Sequence, residues 1–312
     1  MKKAAIRLLQ LGLTVAVTWF IVDRLGLSLA ELRGVDLSEW RPNPLVLLAS
    51  SLVLLFGYFM SAALWGGMVT DLGGPVIPVR RAVRLFMVAN LGRYLPGKIW
   101  QIAGLALLAK REGVPARIAT GAAILGQGLA LVGATIIGLG AFLGPNEAWG
   151  SFGWMAMAVV ASLALAIFIP GVFVRLLPAW FSLARGEVPR RLAGRSTFGV
   201  RWLGLFTLNW AVYAIAFWLL YLSFGDFAAF LQIGPAFAAG YVVGYVAFFA
   251  PAGVGVREAS IIGFLAPALS FESAVVLAVI ARIWTTGVEV VPAAIFAGMR
   301  AAEDPTTRDG GE

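Results

Sequence analysis

Cysteine and histidine are both absent from the 312 residues, and charged side chains make up only 13% of them. The first two absences remove thiol nucleophiles, disulfides, iron–sulfur clusters and every zinc site built on thiolate or imidazole, leaving only carboxylate or carbonyl chemistry for a metal; no metal and no cofactor is expected. The shortage of charge removes the solvated surface of a soluble domain, which carries about 25% charged and roughly 45–50% apolar residues. Here 60% of the residues are hydrophobic. The alternating pattern of barrel strands is missing as well, which leaves an all-α integral membrane protein.

Apolar runs cover residues 5–22, 44–68, 118–143, 154–177, 202–224 and 273–298. Each is long enough to cross roughly 30 Å of hydrocarbon as a helix, so about six full transmembrane helices are expected. The first run follows Lys2 and Lys3 and resembles a signal peptide, but Asp23 and Arg24 stand between its apolar core and the weak cleavage site Ser28-Leu29-Ala30, so it reads as a span. The formal net charge of +8 is unevenly placed. Six spans put Arg7, Arg80, Arg81, Arg84, Lys110, Arg111, Arg117 and the arginine-rich loop 175–201 on the N-terminal side, whereas loops 144–152 and 225–236 have no basic residue. The positive-inside rule then places both termini in the cytoplasm of a cell with this protein in its inner membrane. Anionic lipid accounts for the bias without nucleic acid as a partner.

Two regions do not fit a count of simple spans. Residues 83–95 and 99–109 flank Pro96-Gly97, and residues 237–250 and 257–266 flank Pro251. At 1.5 Å per residue each piece reaches roughly half a bilayer, so both regions are expected to be re-entrant helical hairpins. Backbone that is not helical survives at membrane depth only beside protein or a water-filled cavity, which makes a cavity the second expectation. A shift of 155 residues lays Pro96 on Pro251 and Gln127 on Arg282, although side-chain identity in that overlay is at the level of chance. With three spans in each half, the halves 1–150 and 151–300 would run in opposite senses, an inverted repeat within a single polytopic domain of residues 1–300. The polar tail 301–312 is expected to be disordered and cytoplasmic.

Six charged residues fall at membrane depth: Arg93, Lys98, Arg257, Glu258, Arg282 and Glu289. Unpaired, they would cost on the order of 15–20 kcal/mol, more than the stability of a typical fold. A shared polar chamber is the simplest remedy. Arg282, Thr286 and Glu289 occupy one face of the last span, where Arg282 could bind a ligand or pair with Glu258. In the stretch PAGVGVRE, Pro251 ends one half-helix and Gly253 and Gly255 permit a tight turn. A new helix then starts near Arg257, whose guanidinium suits phosphate oxygens. Glu258 reads equally as a local cap and as a counter-charge or proton carrier. Arg93 and Lys98 straddle the tip of the first hairpin, as a second cationic site or as side chains reaching for the interface.

The segments NLGRYLPGKIWQIAG (90–104) and PAGVGVREA (251–259), with Arg282 downstream, resemble the transmembrane flippase-like domain of lysylphosphatidylglycerol synthases and its stand-alone relatives. The resemblance runs over about residues 5–300. It implies a flippase-like transporter that moves an anionic or aminoacylated phospholipid, or a related polyprenyl-phosphate lipid, between leaflets. By position the matches are Pro96, Gly97, Pro251, Gly253, Gly255, Glu258 and Arg282, while Gln127 replaces the charged residue many relatives carry. No aminoacyl-transferase domain accompanies these residues, so the chain is not expected to be an enzyme that makes the lipid. In this scheme Arg257 and Arg282 hold the phosphate, Arg93 and Lys98 receive or release it, and Glu258 and Glu289 balance charge. The alternative is a membrane partner of a cytoplasmic lipid-modifying enzyme or glycosyltransferase, presenting polyprenyl-phosphate-linked sugars and docking through loop 175–201. An intramembrane enzyme using Glu258 and Glu289, and a small-ion transporter, complete the set.

Overall fold

The computed structural model describes residues 40–94, 100–142, 196–225, 227–247, 253 and 255–303. The spans expected at 5–22 and 154–177, the loop 175–195, the tail beyond residue 303 and the hairpin tips containing Pro96, Gly97, Lys98 and Pro251 lie outside these residues. Among the described residues every regular element is helical: α1 (Pro44–Asp71), α2 (Val79–Asn90), α3 (Trp100–Arg111), α4 (Ala116–Gly138), α5 (Ser196–Leu222), α6 (Phe230–Val246), α7 (Val256–Leu265) and α8 (Phe271–Glu303). Short 3-10 turns at Leu91–Tyr94 and Leu139–Phe142 extend α2 and α4. Four helices are long and apolar enough to cross a membrane, namely α1, α4 with its extension, α5 over Gly199–Leu222 and α8 over Phe271–Phe296.

Local chemistry explains where these helices begin and stop. Asn43 Oδ1 accepts from the Leu45 and Val46 N–H groups at 3.0 and 3.4 Å, and Pro44 supplies a preset φ at the first position of α1. Gly113, at φ 82°, closes α3, and the Val114 N–H reaches back to Ala109 O at 3.0 Å. A left-handed glycine with that six-residue return is the usual way to satisfy the last carbonyls of a helix. The second hairpin starts earlier than its hydrophobicity suggests. Residues 230–236, expected as loop, form the first turns of α6. Pro235 lies inside α6, beyond its first turn, and supplies no N–H to the Leu231 carbonyl.

The order of long helix, two short helices, long helix occurs twice. The starts in the first half (44, 79, 100 and 116) recur 151–156 residues later at 196, 230, 256 and 271. Neighbours correspond too: α2 packs on α8 and α6 on α4, α4 packs on α5 and α8 on α1, and α1 meets α5 between the halves. The α1–α5 pair is antiparallel. Asn43 N–H donates to Ser223 O at 2.5 Å at one end, and Arg201 and Trp202 reach Asp71 at 3.7 and 3.1 Å at the other. The α2–α3 pair therefore departs from the end of the bundle opposite to the α6–α7 pair.

Charge follows the same geometry. Arg81 pairs with Glu112 at 3.5 Å, joining the start of α2 to the end of α3. Arg80, Arg81, Arg84, Lys110, Arg111, Arg117 and Arg201 thus share one end, while Arg41 is the one basic residue described at the other. Leu45, Leu48, Leu52 and Phe56 form an exposed stripe on α1, as Val279, Ile283 and Val290 do on α8. Inside, Leu54, Phe217, Phe237 and Leu277 belong to a buried cluster fed by both halves. Small residues allow the close approach: a Cβ on Gly133 would lie 2.9 Å from the Thr207 backbone nitrogen, so α4 and α5 touch backbone to backbone.

Candidate functional site

Between the two short-helix pairs lies a chamber of two adjoining lobes, open to the outside and spanning about 890 and 730 Å³ with the solvent at their mouths counted in. Tyr58, Arg93, Gln101, Gln127, Tyr241 and Arg257 line both lobes and so form the passage between them. The larger lobe continues along aromatic walls that include Trp65, Phe206, Trp210 and Phe237. The smaller is more polar, bounded by Tyr94, Tyr245, Gly253, Arg282, Thr285 and Glu289.

Glu289 is the most deeply buried charge among the described residues, with 2% of its surface exposed. Taking a carboxylate out of water costs several kcal/mol unless donors replace the lost solvent. Three do so. The Arg93 guanidinium stands 3.0 Å from Oε1, Asn90 Nδ2 donates to the same oxygen, and Tyr94 Oη donates to Oε2 at 2.7 Å. Asn90 then uses its own Oδ1 to accept from Arg93 Nη2 at 2.7 Å and from Gln101 Nε2 at 2.6 Å. Thr286 lies beside the Tyr94 phenol. One buried carboxylate thereby ties α8 to the end of α2, the following turn and the start of α3. Arg93, read from the sequence either as a cationic site or as reaching for the interface, is engaged by Glu289 and Asn90. Arg93 and Glu289, assigned separate duties above, form one unit.

A second charge pair lies at the start of α7. Gly255, at φ 81°, precedes the helix, and its N–H donates to Glu258 Oε2 at 2.7 Å. Glu258 Oε1 stands 3.5 Å from Arg282 Nη1. Glu258 is therefore both a cap and a counter-charge, and Arg282 is a clamp between α7 and α8. Gln127 Nε2 donates to Tyr241 Oη at 2.9 Å, which joins α4 to α6 across the passage without any charge.

Arg257 differs from its neighbours. No described carboxylate lies within 4.0 Å of its guanidinium, which instead lies over the Phe237 ring at 4.5 Å from the centroid. Its partly accessible surface faces both lobes. The backbone next to it is tightly packed. A Cβ on Gly244 would stand 2.8 Å from Arg257 Cβ, and Gly253, at φ 69°, lies 3.1 Å from Gly244 O at the position its own Cβ would take. We expect Gly244→Val to displace α7 and Arg257, costing about 1–3 kcal/mol by overpacking. Thermal unfolding in detergent would show a lower midpoint, and an unchanged midpoint would mean that the approach of α6 to α7 is not tight.

The sequence-level candidates divide plainly. Arg93, Gly253, Arg257, Arg282, Gln127 and Glu289 line the chamber, Glu258 and Thr286 hold its walls from behind, and Gly255 opens α7. Lys98, Pro96, Gly97 and Pro251 fall outside the described residues. Asn90, Gln101, Tyr94, Asn209 and Tyr241 are site residues that the sequence reading missed. A lone amide inside an apolar run was the available signal for Asn90 and Asn209. Among the described residues no cluster of acidic side chains could hold a metal ion.

Residues 7–293 match the family model described as Lysylphosphatidylglycerol synthase TM region. No curated protein and no solved structure matches the chain.

Proposed function

The chain belongs to the lysylphosphatidylglycerol synthase TM-region family, a family of lipid-related membrane domains, and from that membership we propose that it carries an anionic lipid headgroup between leaflets. One observation supports this most: Arg257 is a cation within the chamber whose charge no described carboxylate matches. A cation held partly away from bulk water is costly unless paired, so its natural partner is an anion that arrives and leaves. A guanidinium offers a fork that fits two phosphate oxygens. The acyl chains would stay in the bilayer along the apolar outer faces while the headgroup crosses the passage.

In this reading the two short-helix pairs are re-entrant and enter from opposite leaflets, and the halves form an inverted repeat, as in many carriers whose site lies where broken helices meet. The basic end faces the cytoplasm of the inner membrane, with both termini inside. Arg93 and Arg282, held by Glu289 and Glu258, set the positive field around Arg257 rather than gripping phosphate themselves. The chain is read as a carrier and not an enzyme, because each chamber carboxylate is already held by a cation and is poorly placed to exchange a proton with a substrate.

The test is reconstitution into phosphatidylcholine vesicles containing acyl-chain-labelled phosphatidylglycerol, with a quencher confined to the outer solution. Protein-dependent loss of the protected inner signal supports carriage. Rates equal to those of protein-free vesicles for every anionic lipid tried, polyprenyl phosphates included, would end it.

A further inference from the structure

Five of the six tyrosines stand around the chamber: Tyr58 and Tyr241 between the lobes, Tyr213 in the larger, Tyr94 and Tyr245 in the smaller. Where packing alone matters, phenylalanine fills the same space without a hydroxyl to desolvate, so that concentration raises the question of what each O–H does. Tyr94 donates to Glu289, and Tyr213 shares a hydrogen bond of 2.8 Å with Ser61 Oγ. Two others keep a hydrogen unused. Tyr58, on α1, is 7% exposed; its oxygen has no hydrogen-bond partner among the described residues, yet it is not sealed from the chamber. Tyr241, on α6, accepts from Gln127 Nε2, which leaves its own O–H without an acceptor among the described residues.

Both tyrosines are neighbours of Arg257. Phe237, Tyr241 and Gly244 follow at i, i+4 and i+7 along one face of α6. Arg257 lies over the Phe237 ring at 4.5 Å, and Gly244 backs onto the Arg257 Cβ, so Tyr241 is on the face that Arg257 covers. Tyr58 stands within electrostatic reach of Arg257 and of the Arg93–Glu289 pair. Neither arginine can take a phenol hydrogen, because a guanidinium carries donors only. Glu289 already accepts from Arg93, Asn90 and Tyr94. The rings are also held before any ligand arrives: Tyr58 packs on Tyr213 at 5.6 Å and Tyr241 on Trp210 at 4.5 Å, centroid to centroid. We propose that Tyr58 and Tyr241 are binding residues for the headgroup, their hydroxyls donating to the non-bridging oxygens of the phosphate that Arg257 receives. The two such oxygens of a phosphodiester hold enough lone pairs for the guanidinium fork and both phenols. The proposal rests on the carrier reading and deepens it, turning a lone cation into a cradle of donors from α1, α6 and α7.

Tyr58→Phe and Tyr241→Phe each remove one oxygen and keep the ring. With the whole chain in phosphatidylcholine vesicles, each should exchange acyl-chain-labelled phosphatidylglycerol about tenfold more slowly than the wild type, the factor of one hydrogen bond to a charged group. The unfolding midpoint of Tyr58→Phe should not fall, since that hydroxyl has no described partner to lose. Tyr221→Phe, which alters a buried phenol outside both lobes, should exchange at the wild-type rate. A phosphorothioate analogue, with sulfur in place of one non-bridging oxygen, separates contact with phosphate from a structural role. Sulfur is a weak acceptor, so the wild type should exchange the analogue about tenfold more slowly than the natural lipid, and the Tyr58→Phe, Tyr241→Phe double variant only about threefold more slowly. The wild-type comparison decides even where a variant fails to fold. Wild-type rates in either single variant, a lowered Tyr58→Phe midpoint, equal slowing by Tyr221→Phe, a wild type indifferent to sulfur, or an undiminished sulfur penalty in the double variant would overturn the proposal. Arg257-dependent exchange of anionic lipid would in those cases leave the carrier reading standing. Exchange of no anionic lipid by the wild type would instead remove that reading.

Discussion

Arg257→Ala should slow protein-dependent exchange of an anionic phospholipid by on the order of a hundredfold, the effect of deleting one desolvated charge-assisted contact worth about 2–4 kcal/mol. The folded protein should tolerate the change, because the guanidinium has no described carboxylate to leave unpaired and its main contact is the Phe237 ring. Removing a partly desolvated cation offsets some of the loss of that stacking. Arg257→Lys separates charge from shape: it keeps the cation but not the fork, and an intermediate rate is expected. Wild-type exchange by Arg257→Ala in protein of unchanged thermal stability would show that phosphate does not pass this residue.

Glu289 carries the opposite signature. Glu289→Leu strands Arg93, Asn90 and Tyr94 in a buried site, and breaking one side of such a pair costs about 3–5 kcal/mol. The unfolding midpoint in detergent should fall by on the order of 10 °C. Glu289→Gln retains an acceptor and should lose less. An Arg93→Ala, Glu289→Leu double variant should be destabilised by clearly less than the sum of the singles, since each single change alone exposes the other's charge. A strictly additive result would mean that the 3.0 Å contact is energetically silent.

The long helices were legible in the sequence because a bilayer demands an unbroken apolar run, and runs at 44–68, 118–143, 202–224 and 273–298 lie within a few residues of the spans at Pro44–Asp71, Ala116–Phe142, Gly199–Leu222 and Phe271–Phe296. The doubled order of elements was legible as punctuation, through the spacing of Pro96 and Pro251. The start of α6 was not. Gln232 and Pro235 resemble loop residues, yet the Gln232 side chain accepts from the Ala229 N–H at 3.1 Å and starts the helix. The charged candidates were visible because charge in lipid is rare. Their pairing was not, since Arg93 and Glu289 are brought together by the packing of α2 on α8, a contact no local period encodes. Uncharged partners such as Asn90 carry no comparable signal, and they do much of the work of satisfying Glu289.

If the chamber carries a lipid headgroup as proposed, the two ion pairs among the described residues also bear on its valence. With two of three guanidiniums matched by Glu289 and Glu258, the described side chains that surround the passage sum to a single positive charge. One ionised oxygen brings that sum to zero. A second would remain uncompensated in surroundings that solvate ions poorly, so electroneutrality favours monovalent diesters over divalent terminal phosphates before any contact with the rest of the molecule is made.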